Sequence, residues 1–353
     1  RSARTTEGPA SVRRRLERSW RPSFGPMFHT GRRLMAAALI LLQCGCSPYS
    51  LPPASRHELP STLSALGLYA DLRAGEVVAD VRPYRPSFAL WSDGATKRRW
   101  IRLPAGATID TSDVDAWRFP VGTELWKEFS VGGKRIETRI LRKVSREDDG
   151  WAAMSYAWTI AQTEAFAAPD GVIDALGTRY DVPSSRTCMA CHGGRPERGL
   201  GFGAVQLAHE AKQVDDVTLD RLVEEGLLSV EPKKPIRVPG TAEEAAAIGY
   251  LHANCGHCHN GGRPPDATYF RPPPTVDFGL RVQDLTSVTS TRAYATAARF
   301  SMGLNPAGSH LVLQRMTREG AYRRRMPPIA TEIVDDEGVA LVRAWLERRL
   351  ADR

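Results

Sequence analysis

Two short stretches of this chain repeat one pattern: Cys188-Met189-Ala190-Cys191-His192 and Cys255-Gly256-His257-Cys258-His259. Each puts two thiols two residues apart and an imidazole directly after the second. That is the C-x-x-C-H arrangement of covalent c-type haem attachment. Two thiols at this spacing add across the two vinyl groups on one porphyrin edge, and the next residue places an imidazole under the iron. The expected cofactors are therefore two covalently bound haem c groups. Cys188, Cys191, Cys255 and Cys258 are the thioether positions, and His192 and His259 the proximal ligands. Cys-x-x-Cys pairs also form disulfides, four-cysteine zinc sites or redox dithiols. A zinc site does not require histidine after both pairs, and no βαβ pattern of a thioredoxin-like dithiol surrounds either one. His257, inside the second motif, is expected to face solvent from a loop.

The remaining two of the six cysteines mark a different feature. Arg32 and Arg33 precede the apolar run Leu34–Leu42, followed by Gln43-Cys44-Gly45-Cys46-Ser47. Nine apolar residues suit a signal-peptide core, since a membrane-spanning helix needs about 20. A cysteine just after such a run resembles the lipidation site of bacterial lipoproteins. Cys46 is preferred, with small Gly45 before it but Gln43 where leucine is usual. Cys44 has Leu41 at that place but bulky neighbours, and a cleaved signal without lipid is the alternative. Residues 1–46 are thus expected to be an N-terminal extension and lipoprotein-type signal peptide, with Met27 opening a signal of ordinary length. The implied location is periplasmic or cell-envelope, lipid-anchored to a bacterial membrane. The formal net charge of +8 fits this reading, because residues 1–45 hold nine Arg and two Glu, or +7, leaving +1 for the rest. A near-neutral remainder argues against nucleic-acid binding.

Between these features, Trp100–Leu103, Thr123–Val131, Lys134–Val144 and Trp151–Ile160 alternate in strand fashion. Turn signals stand at Pro104-Ala105-Gly106, Gly132-Gly133 and Asp148-Asp149-Gly150. The pattern predicts an antiparallel β-rich region. In its last strand Ala152, Met154, Tyr156, Trp158 and Ile160 share one broad apolar face, either a sheet core or the wall of the first haem's pocket. Further on, residues 194–240 read as a connector with one helix, Thr218–Leu228.

Around the second motif the pattern turns helical. Pro239-Gly240 breaks the chain, Thr241 and Glu244 form a capping box, and Ala245, Ile248 and Leu251 mark a face running into Cys255. Asp335 can cap a final helix in which Val339, Val342, Trp345 and Leu346 recur at three- and four-residue steps. Two helices flanking a haem loop resemble the class I cytochrome c fold. That resemblance implies a methionine distal ligand from the loop before the last helix, where Arg325-Met326-Pro327-Pro328 lies. Met326 is the expected ligand, with Met302 and Met316 as rivals; Met316 also reads as a core filler.

Phe119-Pro120-Val121-Gly122-Thr123, a strand pair, Gly150-Trp151 and then C-x-x-C-H resembles the β-sheet cytochromes c-prime-beta over residues 115–193. Their relatives carry a haem-cross-linked lysine and a five-coordinate iron. Lys127 is nearest that lysine, although a solvent-facing strand lysine is the plainer reading. The first haem's distal position has Met154, His209 or no protein ligand as candidates. Over residues 60–349, Leu90-Trp91-Ser92-Asp93-Gly94-Ala95, Glu137-Thr138-Arg139, both C-x-x-C-H motifs and Arg325-Met326-Pro327-Pro328 resemble a family of bacterial diheme c-type cytochromes. The expected fold is α+β: an antiparallel β-rich N-terminal domain ending in the first haem motif (60–193), the connector (194–240), then an all-α class I cytochrome c-like domain (241–353). The expected function is electron transfer with a redox partner protein. The alternative is a haem enzyme or small-gas-binding protein using an open site on the first haem, so the sequence does not decide whether the chain is a catalyst.

Overall fold

Strands form where apolar and polar side chains alternate, and they make a sheet buried on both faces. The structure is a computed structural model; it describes residues 59–351 apart from 196, 262–272, 274, 303–309, 318–324 and 329–330. The leader assigned to residues 1–46, with Cys44 and Cys46, lies outside the described residues. Strands β1 (Tyr69–Asp71) and β2 (Glu76–Val77) pair as a hairpin. Strands β3 (Arg82–Pro83), β4 (Thr96–Arg102), β5 (Glu124–Val131), β6 (Lys134–Lys143), β7 (Trp151–Trp158) and β8 (Ala165–Ala167) form one six-stranded antiparallel sheet in chain order. Gly132 and Gly133 join β5 to β6 with φ of 56° and 79°. A tight two-residue hairpin needs both positive angles, which is why glycine occupies both places.

One sheet face carries Trp100, Trp126, Ile140, Tyr156 and Trp158, covered by Leu63, Leu66, Leu68 and Val81 from the preceding segment. The other carries Ile101, Leu125, Leu141 and Trp151, and the helices cover it. Those helices are α1 (Ser185–His192), α2 (Ala204–Leu207), α3 (Leu219–Glu224), α4 (Ala242–Asn254), α5 (Arg292–Met302), α6 (Leu311–Thr317) and α7 (Asp336–Ala351). The capping box of Thr241 and Glu244 opens α4. Asp335 caps α7 through a 3.0 Å bond from the Gly338 N–H.

The expected succession of a β-rich domain and a separate all-α class I cytochrome c-like domain is incorrect. Residues 51–353 cluster as one compact unit. A single hydrophobic core runs from Ile101, Leu125 and Leu141 on the sheet through Leu207, Val217 and Leu222 to Ile248, Leu251, Val342 and Trp345 on α4 and α7. The helices cannot close a core of their own because part of their apolar surface is spent on the second sheet face. Within residues 194–240, Leu207, Val217 and Leu222 are almost fully buried in this core.

A polar clamp fixes the assembly at the end of α4. Asn254, directly before Cys255, accepts the Trp91 N–H at 2.8 Å and donates to the carbonyls of Ala89 and Tyr250. Trp91 Nε1 then donates to the Ile333 carbonyl at 3.0 Å, and Asp93 accepts the Ile333 N–H at 2.8 Å. The segment before β4 therefore ties the second motif to the loop preceding α7.

Gly249 shows how close this packing is, because a Cβ there would lie 2.1 Å from the Phe88 ring. Helix propensity alone makes alanine better than glycine by about 1 kcal/mol. The clash reverses the sign: Gly249→Ala is expected to destabilise the protein by about 1–3 kcal/mol in urea unfolding. Combining it with Phe88→Leu should recover part of the loss.

Candidate functional site

The first motif lies within α1, so Cys188 and His192, four residues apart, share a helix face. Both line a cavity between α1 and the sheet, together with Tyr84, Leu125, Leu141, Ala153 and Leu200. The His192 imidazole is set for metal binding. Its Nδ1 is 2.6 Å from the Arg198 carbonyl, an acceptor only, so Nδ1 carries the proton and Nε2 keeps a free lone pair. Burial, then the Lys127 charge, push His192 down to about 3, which keeps the ring neutral. The Cys188 thiol lies beside the Ser155 hydroxyl, and burial raises its pKa.

The sheet presents this cavity with the face opposite to the broad apolar one noted in β7. Ala153 and Ser155 line it together with Leu125, Lys127, Arg139 and Leu141. Met154 borders the cavity, but its side chain packs with Trp126, Ile140 and Tyr156 on the other face. His209 is engaged elsewhere: Nδ1 meets the Glu210 carbonyl at 2.9 Å and Nε2 the Arg85 carbonyl at 2.7 Å. Neither distal candidate therefore offers the cavity a free ligand atom. Lys127 is not a solvent-facing strand lysine; it lines the cavity. Burial, then Arg99, Arg139 and Lys97, hold its ammonium well below the usual lysine range.

The second motif follows the last turn of α4, with Cys255 packed against the main core. Burial, then Cys258, push the Cys255 thiol up to about 12. Gly256 is required by close approach, since a Cβ there would lie 2.6 Å from the His252 carbonyl. His259 stands edge-on to Phe278 with ring centroids 5.9 Å apart. Met326 is half-buried in the loop before α7 and tied to α6, its N–H donating to the Arg315 carbonyl at 3.0 Å. Of its rivals, Met316 packs against the main core, and the Met302 side chain is outside the described residues.

The two motifs meet. The thiols of Cys191 and Cys258 hydrogen-bond each other, and this bond, ahead of burial, raises the Cys191 pKa well above the usual thiol range. Asn260 Nδ2 reaches the Gly194 carbonyl at 3.3 Å, tying the turn after one motif to the turn after the other. His257 does not face solvent. It is 6% exposed, its Nδ1 has no hydrogen-bond partner, and with His252 and Arg195 it lines a second cavity.

Among the described residues no three His, Cys, Asp or Glu side chains gather to hold an ion, so the four thiols do not form a zinc set. A cavity with an imidazole and a thiol on one wall would suit a haem, as would a histidine whose Nδ1 proton is fixed by a backbone carbonyl. Motif reading alone missed Tyr84, which lines the cavity but belongs to no sequence signature; Arg139, also on its wall, stands in the Glu137-Thr138-Arg139 stretch but was given no role there.

His252 offers a pH test. Its Nδ1 accepts the Leu280 N–H at 3.1 Å, and burial, then Arg195, push it down from 6.5 to about 3. Between those values the unfolded chain binds the extra proton, so stability is lost as pH falls through this window. One such group contributes a slope of up to about 1.4 kcal/mol per pH unit. In urea titrations, His252→Asn is expected to flatten the acid limb by that amount; an unchanged limb would show that His252 does not titrate there. No family model matches the chain, and neither does any curated protein or solved structure, so the chemistry of the site rests on its own residues.

Proposed function

We propose that this protein is an exported diheme c-type cytochrome acting in electron transfer. The observation that carries the reading is the meeting of two C-x-x-C-H motifs, 67 positions apart in sequence (188 to 255), with the Cys191 and Cys258 thiols in contact. Cys188 and Cys191 would hold one haem with His192 as proximal ligand; Cys255 and Cys258 would hold the other with His259, and Met326 as distal ligand. The bound groups supply one-electron redox chemistry at iron. The chain contributes position. The α1 and α4 ends hold the attachment thiols side by side, and the core behind them keeps that spacing rigid. The Arg198 carbonyl orients His192, and Phe278 bears on His259. The redox partner is another protein, and the N-terminal leader would place the exchange in the cell envelope, at a membrane through a lipid on Cys46.

A second reading has its own support. Among the described residues, the cavity at His192 is lined by no imidazole other than His192, and by no methionine other than bordering Met154, whose side chain packs on the far face. A haem held there would have an open distal side, as a gas-binding protein or an enzyme requires.

Optical spectra of protein matured in a c-haem-competent host separate these readings. Electron transfer alone predicts two low-spin haems that ignore carbon monoxide; a high-spin fraction that binds carbon monoxide supports the open site. Absence of covalent haem would refute both. Met326→Ala is expected to turn the second haem high-spin and leave the first unchanged; an unchanged spectrum would remove Met326 as ligand.

A further inference from the structure

The cavity at His192 has an unusual polar wall. Across four strands Arg99 pairs with Lys127, Lys127 with Arg139 and Arg139 with Ser155, so three cations stand directly opposite one another in one row. Lys97 follows one step along the same face and adds a fourth. Like charges in register on neighbouring strands repel, and burial strengthens the penalty. Among the described residues the row's one ion pair is to Glu137, which is fully buried, pairs with Arg139 and accepts the Tyr180 hydroxyl at 2.6 Å; Asp93 and Asp335 bear only on Lys97. Lys97 Nζ is spent on the Ala95 carbonyl at 3.1 Å. Among the described residues Arg99 and Lys127 have neither an ion pair nor a hydrogen-bond acceptor, and neither does the hydroxyl of Tyr84. Tyr84 is 1% exposed, lines the cavity and is electrostatically coupled to Arg99. Tyr84 and Lys127 line the cavity and Arg99 stands beside Lys127 on the next strand, so three unmatched donors, two of them cationic, specify an acceptor that the described residues do not supply.

We propose that Tyr84, Arg99 and Lys127 form an oxyanion site that takes a carboxylate or a small inorganic oxyanion. Two sources share this chemistry: a propionate of the attached haem, or a free anion entering the cavity. Only the first rests on the haem reading. Guanidinium and ammonium groups give charge-assisted hydrogen bonds to such oxygens, and the bound negative charge cancels the repulsion along the row.

The test uses the full, haem-assayed protein, titrated calorimetrically with sodium nitrite and with sodium acetate at fixed ionic strength set by sodium chloride. A free-anion site gives saturable binding that Lys127→Met weakens at least about tenfold, whereas charge-preserving Lys127→Arg stays within about threefold. Tyr84→Phe and Arg99→Gln should each weaken it several-fold and keep the test decisive if Lys127→Met fails to fold. If a haem propionate fills the site, wild-type protein binds neither anion, and Lys127→Met lowers the reduction potential of one haem and leaves the other. Neither saturable binding nor a potential shift in any of these variants would overturn the proposal. Absence of covalent haem would remove the propionate source and the electron-transfer reading, while the anion titration would still decide the site.

Discussion

A sheet that buries large side chains on both faces has to be covered on both, and the architecture follows from how this one is covered. The N-terminal segment supplies Leu63, Leu66 and Leu68 to one face. The opposite face draws in apolar residues from every helix after residue 200, from Phe202 to Leu346. Because α4 and α7 pack on the same core as Leu125 and Leu141, the second motif is carried to the sheet side where the first already sits. The contact between Cys191 and Cys258 is a consequence of shared burial.

Local features were readable from the sequence because they rest on local physics. The Gly132-Gly133 turn, the Thr241–Glu244 capping box and the Asp335 cap each need a few residues at fixed offsets. The face of β7 that meets the first motif was not readable, because alternation defines two faces without saying what covers each. The cation row was hidden for a sharper reason. From Val131↔Lys134 a regular hairpin would place Lys127 opposite Thr138, but an irregularity between Phe129 and Ser130 shifts the ladder by one and brings Arg139 there instead. Such a bulge leaves no reliable composition signal. His257 was misplaced because a loop residue in sequence is buried here by the other motif.

The two motifs end up chemically unequal. The first is a helical motif facing a polar, cationic wall, with its imidazole held neutral beside an unpaired lysine. The second is a turn after α4, held by the Asn254 clamp and bordered by Phe278. The proposed relay role needs no charged wall, which is why the proposed anion binding is assigned to the first cavity.

One core brings the two C-x-x-C-H motifs into contact, and haems held on them, as proposed, would be close enough to couple. Electron paramagnetic resonance of the fully oxidised, doubly loaded protein tests it directly. Contact between the attachment cysteines predicts haem signals split or broadened by coupling between the two irons, which revert to a simple spectrum when Cys188 and Cys191 are both replaced by alanine. Two sharp, independent signals in the doubly loaded protein, unchanged by loss of either haem, would contradict it.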